Sequence, residues 1–296
     1  MTRAPSRRAA LAALSVAGLA AGARDAQAAR KPLNLDDPWD NLTGYLKSRS
    51  DISGAQAMSW TSGVVWAMIP GQPAKALLLG QGLKCTRCIK DARGYEFLER
   101  ECVIFSDLAT GEPVTTWANP FTERTVEVFH IRNASAGSHI AAVGERGQHH
   151  TTYMENTGDV TFYSDLFYSS PSLLNPAQYA PYAASSVYEG AGIYHYHVKR
   201  ADLDNADMPS VPCTTSHTGI RQWLPWMEMG QWAGGIVMPS RGKKLSGGVK
   251  DIPKPFRAWL EKNNPEFLQA PTLADKGKEK FMYQQFKEHI DKKRGA

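Results

Sequence analysis

Apolar and β-branched residues fall in short runs along this chain, separated by polar turn residues. Trp60 to Ile69 ends at Pro70-Gly71, and Ala74 to Ile89 follows. Asp91-Ala92-Arg93-Gly94 forms a turn, and Tyr95 to Phe105 returns as a hairpin partner. Asp107 to Gly111 turns again. Val114 to Trp117 and Thr125 to Ile131 then flank Asn119-Pro120-Phe121-Thr122. Further strands are predicted at Val160 to Tyr168, Val187 to Lys199 and Gly234 to Met238. Asp37-Pro38-Trp39 to about Ser50 reads as a short helix, with Asp37 as N-cap and Pro38 in the first helical position. From about Lys254 the pattern turns helical again, first at Pro255 to Leu260 and then at Lys276 to Arg294.

Short strands at this spacing, joined by Asp, Gly and Pro turns, predict a mainly β chain organised as an antiparallel meander. A meander of this length must pair or close its edges. The expected fold is therefore a lipocalin-like (calycin-type) β-barrel with a short N-terminal helix and C-terminal helices. A two-layer sandwich is the alternative. A barrel of about eight strands can hold one small ligand. No repeat, Gly/Ser linker or composition shift marks a second domain.

The first residues change this picture. Arg3, Arg7 and Arg8 precede an Ala/Gly/Leu stretch from Ala9 to Ala23, and Ala26-Gln27-Ala28 is a small-x-small cleavage site. Arg7-Arg8 is the pair that marks the twin-arginine export route. Residues 1–28 are thus read as an export signal and 29–296 as one barrel domain, which places the mature protein in the periplasm or outside the cell. Removing Arg3, Arg7, Arg8, Arg24 and Asp25 lowers 34 basic residues by four and 29 acidic ones by one, so the net charge falls from +5 to about +2. That is too little for a nucleic-acid footprint. No stable membrane insertion is expected after signal removal, because no run of eighteen strongly apolar residues exists.

Cys85, Cys88, Cys102 and Cys213 are the four cysteines. Cys85 and Cys88 have CxxC spacing but sit in an extended stretch, where residues three apart face opposite ways. A structural bridge or buried free thiols is expected rather than a redox dithiol.

Two groups of residues are candidates for chemistry. His195-Tyr196-His197 on a strand puts both imidazoles on one face and Tyr194 and Tyr196 on the other. Such a pair can supply acid/base groups, with a Tyr hydroxyl as donor, and His130 is a further candidate. It can also give two metal ligands, for which His130, His149 or His150 would have to supply a third. Glu189 lies too far along the same strand. No metal or other cofactor is expected, because the third ligand is unplaced. The second group is apolar: Trp223, Trp226, Met227 and Met229 beside Arg221, with Trp117 and Asn119 earlier in the chain. Aromatic and Met side chains make an adaptable wall, and one Arg could anchor a carboxylate or phenolate.

Three stretches also carry a resemblance: Trp117-Ala118-Asn119-Pro120-Phe121-Thr122, Arg221-Gln222-Trp223-Leu224-Pro225-Trp226-Met227, and Gly234-Gly235 with Gly242-Lys243-Lys244-Leu245. With them the chain, from about Asp37 to Pro271, resembles a family of exported bacterial and fungal proteins known only as a domain of unknown function. The resemblance implies one domain and an exported precursor, and it assigns no catalytic residue. The functional expectation is an exported barrel that binds an apolar or aromatic small molecule and performs non-redox isomerase, cyclase or lyase chemistry. A ligand carrier without turnover and a metal-dependent enzyme built on His195 and His197 are the alternatives.

Overall fold

The computed structural model describes residues 31–144, 147, 148, 150–278 and 280–295. The expected export signal and His149 lie outside these residues. Asn34–Ala296 forms one compact unit. Helix α1 (Pro38–Arg49) begins where Asp37 accepts hydrogen bonds from the amides of Trp39 and Asp40, and Pro38 needs no amide partner in the first turn. Strands β1 (Ala57–Met68), β2 (Lys75–Lys90) and β3 (Gly94–Ser106) follow as hairpins. The short pair β4 (Thr116–Ala118) and β5 (Thr125–Glu127) leads to β6 (Ile131–Ala141), β7 (Val143–Gly144) and β8 (Gly147–Gln148). Then come β9 (Tyr153–Asn156), β10 (Asp159–Pro171), the one-turn α2 (Pro176–Tyr179), β11 (Val187–Lys199) and α3 (Arg200–Asp204). Strands β12 (Thr214–Arg221) and β13 (Gly235–Lys244) precede helices α4 (Lys254–Asn263) and α5 (Met282–Arg294).

Nine strands form a single antiparallel sheet in the order β6-β3-β2-β1-β13-β12-β11-β10-β9. Strand β13 returns to pair with β1, which joins the N-terminal and C-terminal halves of the meander. The ladder is open: β6 and β9 stand at its two ends, and no hydrogen-bonded ring forms among the described residues. The sheet is nevertheless strongly curled. Lys84 Nζ on β2 lies 4.6 Å from the ring centre of Tyr194 on β11. In a flat sheet those two strands would be about 19 Å apart.

Helix α1 spans the gap between the ends of the ladder. Tyr45 packs edge-on against Phe162 of β10 and Tyr196 of β11, while Arg49 reaches Glu99 of β3 at 3.2 Å and stacks over Phe97. Gly44 permits this approach, since a Cβ there would stand 3.0 Å from Phe162. At the helix C-terminus the Lys244 ammonium donates to the carbonyls of Lys47 and Ser50, which answers the exposed end of the helix dipole.

Apolar burial is divided between two clusters. One plugs an end of the curled sheet with Phe105, Trp117, Trp226 and Met227, and the side chains Met282, Phe286 and Ile290 of α5 pack into it. The other lies on the outer face of β1–β3, where Leu83, Cys85, Cys102 and Ile104 are covered by Phe256, Leu260 and Phe267. All four cysteines are buried free thiols, and Cys85 and Cys88 differ in face as their spacing on a strand requires. Burial pushes the Cys85 thiol up to about 12 and that of Cys88 to about 11, so neither is a ready nucleophile.

Candidate functional site

The inner face of the sheet carries an unusual number of polar groups. Strands β11 and β12 pair Tyr196 with Thr215, Tyr194 with His217, Gly192 with Gly219 and Gly190 with Arg221, and all these residues face inward. On the opposing wall, Lys84 pairs with Glu101, and Glu101 with Asn133. Between the two walls lies a cavity of about 520 Å³. That is within the range of small-molecule sites. Val103, Ile131, Met238, Leu166 and Leu173 supply its apolar lining, and Phe281 and Tyr283 close it from the C-terminal segment.

Three cations and two carboxylates meet in this interior. Arg49 pairs with Glu99, and Lys84 pairs with Glu101 at 3.2 Å and Glu99 at 3.6 Å. Burial works against the Glu101 charge, but Lys84, with Arg221 and Asn133, holds its carboxyl below the ordinary value. The remaining cation is Arg221. No carboxylate of the described residues lies within 4.0 Å of it; the phenols of Tyr188, Tyr168, Tyr283 and Tyr194 act on it most strongly, and Glu101 feels its charge from farther off. Glu189 faces the other side of the sheet, bonded to Ser169, and Glu228 is paired with Arg124. Burial raises the phenol of Tyr168 and those of Tyr194 and Tyr283 above their ordinary value, so these three hydroxyls are protonated at neutral pH. Tyr168 and Tyr188 share a hydrogen bond of 3.2 Å.

His217 stands beside Arg221 on the same strand face. Its ring is 9% exposed and stacks on Tyr194 at 4.3 Å. Ser240 Oγ donates its one proton to the His217 carbonyl at 3.3 Å, so it accepts from Nδ1 at 3.2 Å. This assigns the proton to Nδ1 and a bare lone pair to Nε2, which is buried without a partner. Burial, then the charges of Lys84 and Arg221, push the imidazole down to about 3. It is therefore neutral under physiological conditions. Gly219 makes room for both groups: a Cβ there would stand 3.1 Å from Arg221 Nη2 and 3.7 Å from His217 Nε2.

Of the residues singled out in the sequence, Arg221 lines this cavity, as does Tyr194, and the others lie elsewhere. His195 and His197 do share a face, with ring centres 6.2 Å apart, but it is the outer face of the sheet. There His197 is bonded to Thr161 and Ser216, and His195 lies against Tyr163. Tyr196 points inward beneath Arg49 and is buried. His130 is a core residue that accepts the Phe105 amide through Nδ1 and meets the Trp259 ring edge-on. Trp117, Trp223, Trp226, Met227 and Met229 all belong to the apolar plug, not to the cavity wall. Asn119 ties that plug together: its Nδ2 donates to the Met227 carbonyl at 2.7 Å and its Oδ1 accepts from the Phe121 amide. His150 is exposed, near Tyr153. Among the described residues no group of three or more His, Cys, Asp or Glu side chains is placed to hold a metal ion.

A second, open hollow of about 1000 Å³ is lined by Lys199, Lys243, Asp159 and His197. Its one buried ammonium, Lys244, is already committed to the end of α1.

The model of a family of unknown function, DUF1838, matches residues 54–290. The chain belongs to DUF1838. The DUF1838 span contains all the sheet strands and each cavity residue named above, and it begins just after α1. No curated protein matches the chain.

Proposed function

We propose that this DUF1838 protein binds a small organic anion with an apolar or aromatic body inside its curled sheet. The observation that carries this reading is Arg221: a cation on the cavity wall without an ion pair, in an interior whose other cations are paired. An unpaired charge in such surroundings is costly, and a ligand carboxylate, phenolate or phosphate would offset that cost. The apolar lining supports a hydrophobic body for the ligand. In this reading the open ladder works as a lipocalin-like barrel, sealed by α1 and the C-terminal segment rather than by strand pairing.

Non-redox proton chemistry of the isomerase, cyclase or lyase type fits the groups around Arg221. Neutral tyrosine hydroxyls can donate to a developing oxyanion, and His217 offers an unprotonated nitrogen. The second reading is a carrier without turnover. It is favoured by the exposed apolar side chains at the mouth, Leu166, Leu173 and Phe281. These would suit uptake of a hydrophobic molecule in either case. The twin-arginine pattern supports a periplasmic or secreted site of action, and no helix of the described residues is long and apolar enough to cross a membrane.

The test is a titration with 2-naphthylacetate and with its methyl ester. The acid should bind and the ester should bind at least about tenfold more weakly, the minimum for losing a charge-assisted contact. Equal binding of acid and ester would refute an anion site.

A further inference from the structure

We infer that the ligand of the Arg221 cavity carries a hydroxyl close to its anionic group, and that His217 Nε2 accepts the hydrogen bond from this hydroxyl. The inference rests on the anion-site reading and adds the substrate class, a hydroxylated organic acid. Three observations lead to it. The His217 side chain lines the cavity, and its Nε2 is buried and has no partner. The Ser240 hydroxyl holds the proton on the far nitrogen, so Nε2 presents an acceptor and not a donor. Stacking on Tyr194 fixes the ring plane, so the lone pair cannot turn away to find another donor.

A buried acceptor left bare is destabilising, and buried polar groups in folded proteins are nearly always satisfied. A ligand lacking a donor at this point would leave Nε2 desolvated and unpaired. One that carries a hydroxyl would satisfy it. Such a site discriminates strongly against the analogue without the hydroxyl. The spacing follows from Gly219. The guanidinium and the imidazole both lie against the space that a Gly219 side chain would fill. The anion and the hydroxyl must therefore be neighbours on the ligand, on the same carbon or one carbon apart. The Tyr168 hydroxyl is engaged with Tyr188, and the Tyr194 ring lies stacked on the imidazole, so neither offers a donor to Nε2 without leaving its own place.

The experiment compares 2-naphthylacetate with its 2-hydroxy derivative, and 3-(2-naphthyl)propanoate with its 2-hydroxy and 3-hydroxy derivatives, by calorimetric titration of the full chain. At least one hydroxy acid should bind about tenfold more tightly than its parent, the worth of one buried hydrogen bond. In His217→Phe, which keeps a ring to stack on Tyr194, that preference should disappear and the two affinities should converge. If the parents bind but no hydroxy acid is preferred, this inference is overturned and the anion site stands. A preference that survives in His217→Phe also overturns it, because the hydroxyl is then read elsewhere. If none of the acids binds, both the anion site and the inference fail. Circular dichroism and thermal melting of His217→Phe establish that the variant is folded before its affinities are compared.

Discussion

Lowering the pH from 7 to 4 should weaken the fold through His130 in a way that one substitution can isolate. The His130 ring is 7% exposed, lies between Phe105 and Trp259, and accepts the Phe105 amide through Nδ1. Protonation would put a second hydrogen where that amide donates. Burial, with Arg132 nearby, accordingly pushes the imidazole from its ordinary 6.5 down to about 4. The unfolded chain therefore takes up a proton below pH 6.5 that the folded chain refuses until about pH 4. Between those values the unfolded state binds more protons, so stability falls as the pH falls. A gap of this size is worth about 3 kcal/mol, at about 1.4 kcal/mol per pH unit. Urea unfolding of the wild type and of His130→Asn, which keeps an acceptor for the amide but does not titrate, measures the effect. The stability difference between the two proteins should shift by about 3 kcal/mol against the wild type between pH 7 and pH 4. A difference independent of pH would refute the assignment of His130 as a buried neutral acceptor.

Three further outcomes are expected. Gly219→Ala places a methyl group 3.1 Å from the end of the Arg221 side chain, which can yield; urea unfolding should change little, while 2-naphthylacetate affinity falls about tenfold. Asn119→Ala removes the donor to the buried Met227 carbonyl and should cost about 2 kcal/mol in the same unfolding assay without altering the cavity. N-terminal sequencing of the protein from its native cell should find a chain beginning near Ala29, and an intact Met1 would contradict export by the twin-arginine route.

Much of the architecture was legible because alternating and turn residues carry it. The helix at Asp37 and Pro38, the hairpin through Asp91–Gly94 and strand β11 stand where the pattern puts them. Strands β6 and β12 were not legible, because of the side chains they carry. Thr214–Arg221 places Thr215, His217, Gly219 and Arg221 on its inner face, so it shows no apolar alternation. Ile131–Ala141 carries large apolar side chains only at Ile131 and Ile140. A strand that lines a polar interior looks like a loop when burial is judged by hydrophobicity. The open ladder was hidden too, since the ends β6 and β9 do not pair and α1 instead bridges from β3 to β10.

The same blindness affected the site. His195 and His197 stand out in sequence as a spaced pair, but a strand has two faces and the parity that turns Tyr194 and Tyr196 inward turns the histidines outward. The aromatic and Met cluster around Trp226 stands out by density, and density of large apolar side chains marks a core first. Lys84 and Glu101 meet across the β2–β3 hairpin, but His217 comes from a strand far along the chain, and only the curl of the sheet brings it to face them. Arg221 was visible because it is a lone cation in an apolar stretch. Its neighbour His217, two residues earlier, could have been found from the alternation of His217, Gly219 and Arg221.

The central claim is that Arg221 holds the anionic group of a ligand inside the curled sheet, and calorimetric titration of 2-naphthylacetate into the wild type and Arg221→Gln tests it most directly. Removing the guanidinium should weaken the acid by about 2–5 kcal/mol, because the carboxylate would then be buried without its partner. The methyl ester, which has no charge to lose, should bind both proteins alike. An acid that binds Arg221→Gln as tightly as the wild type would contradict the account.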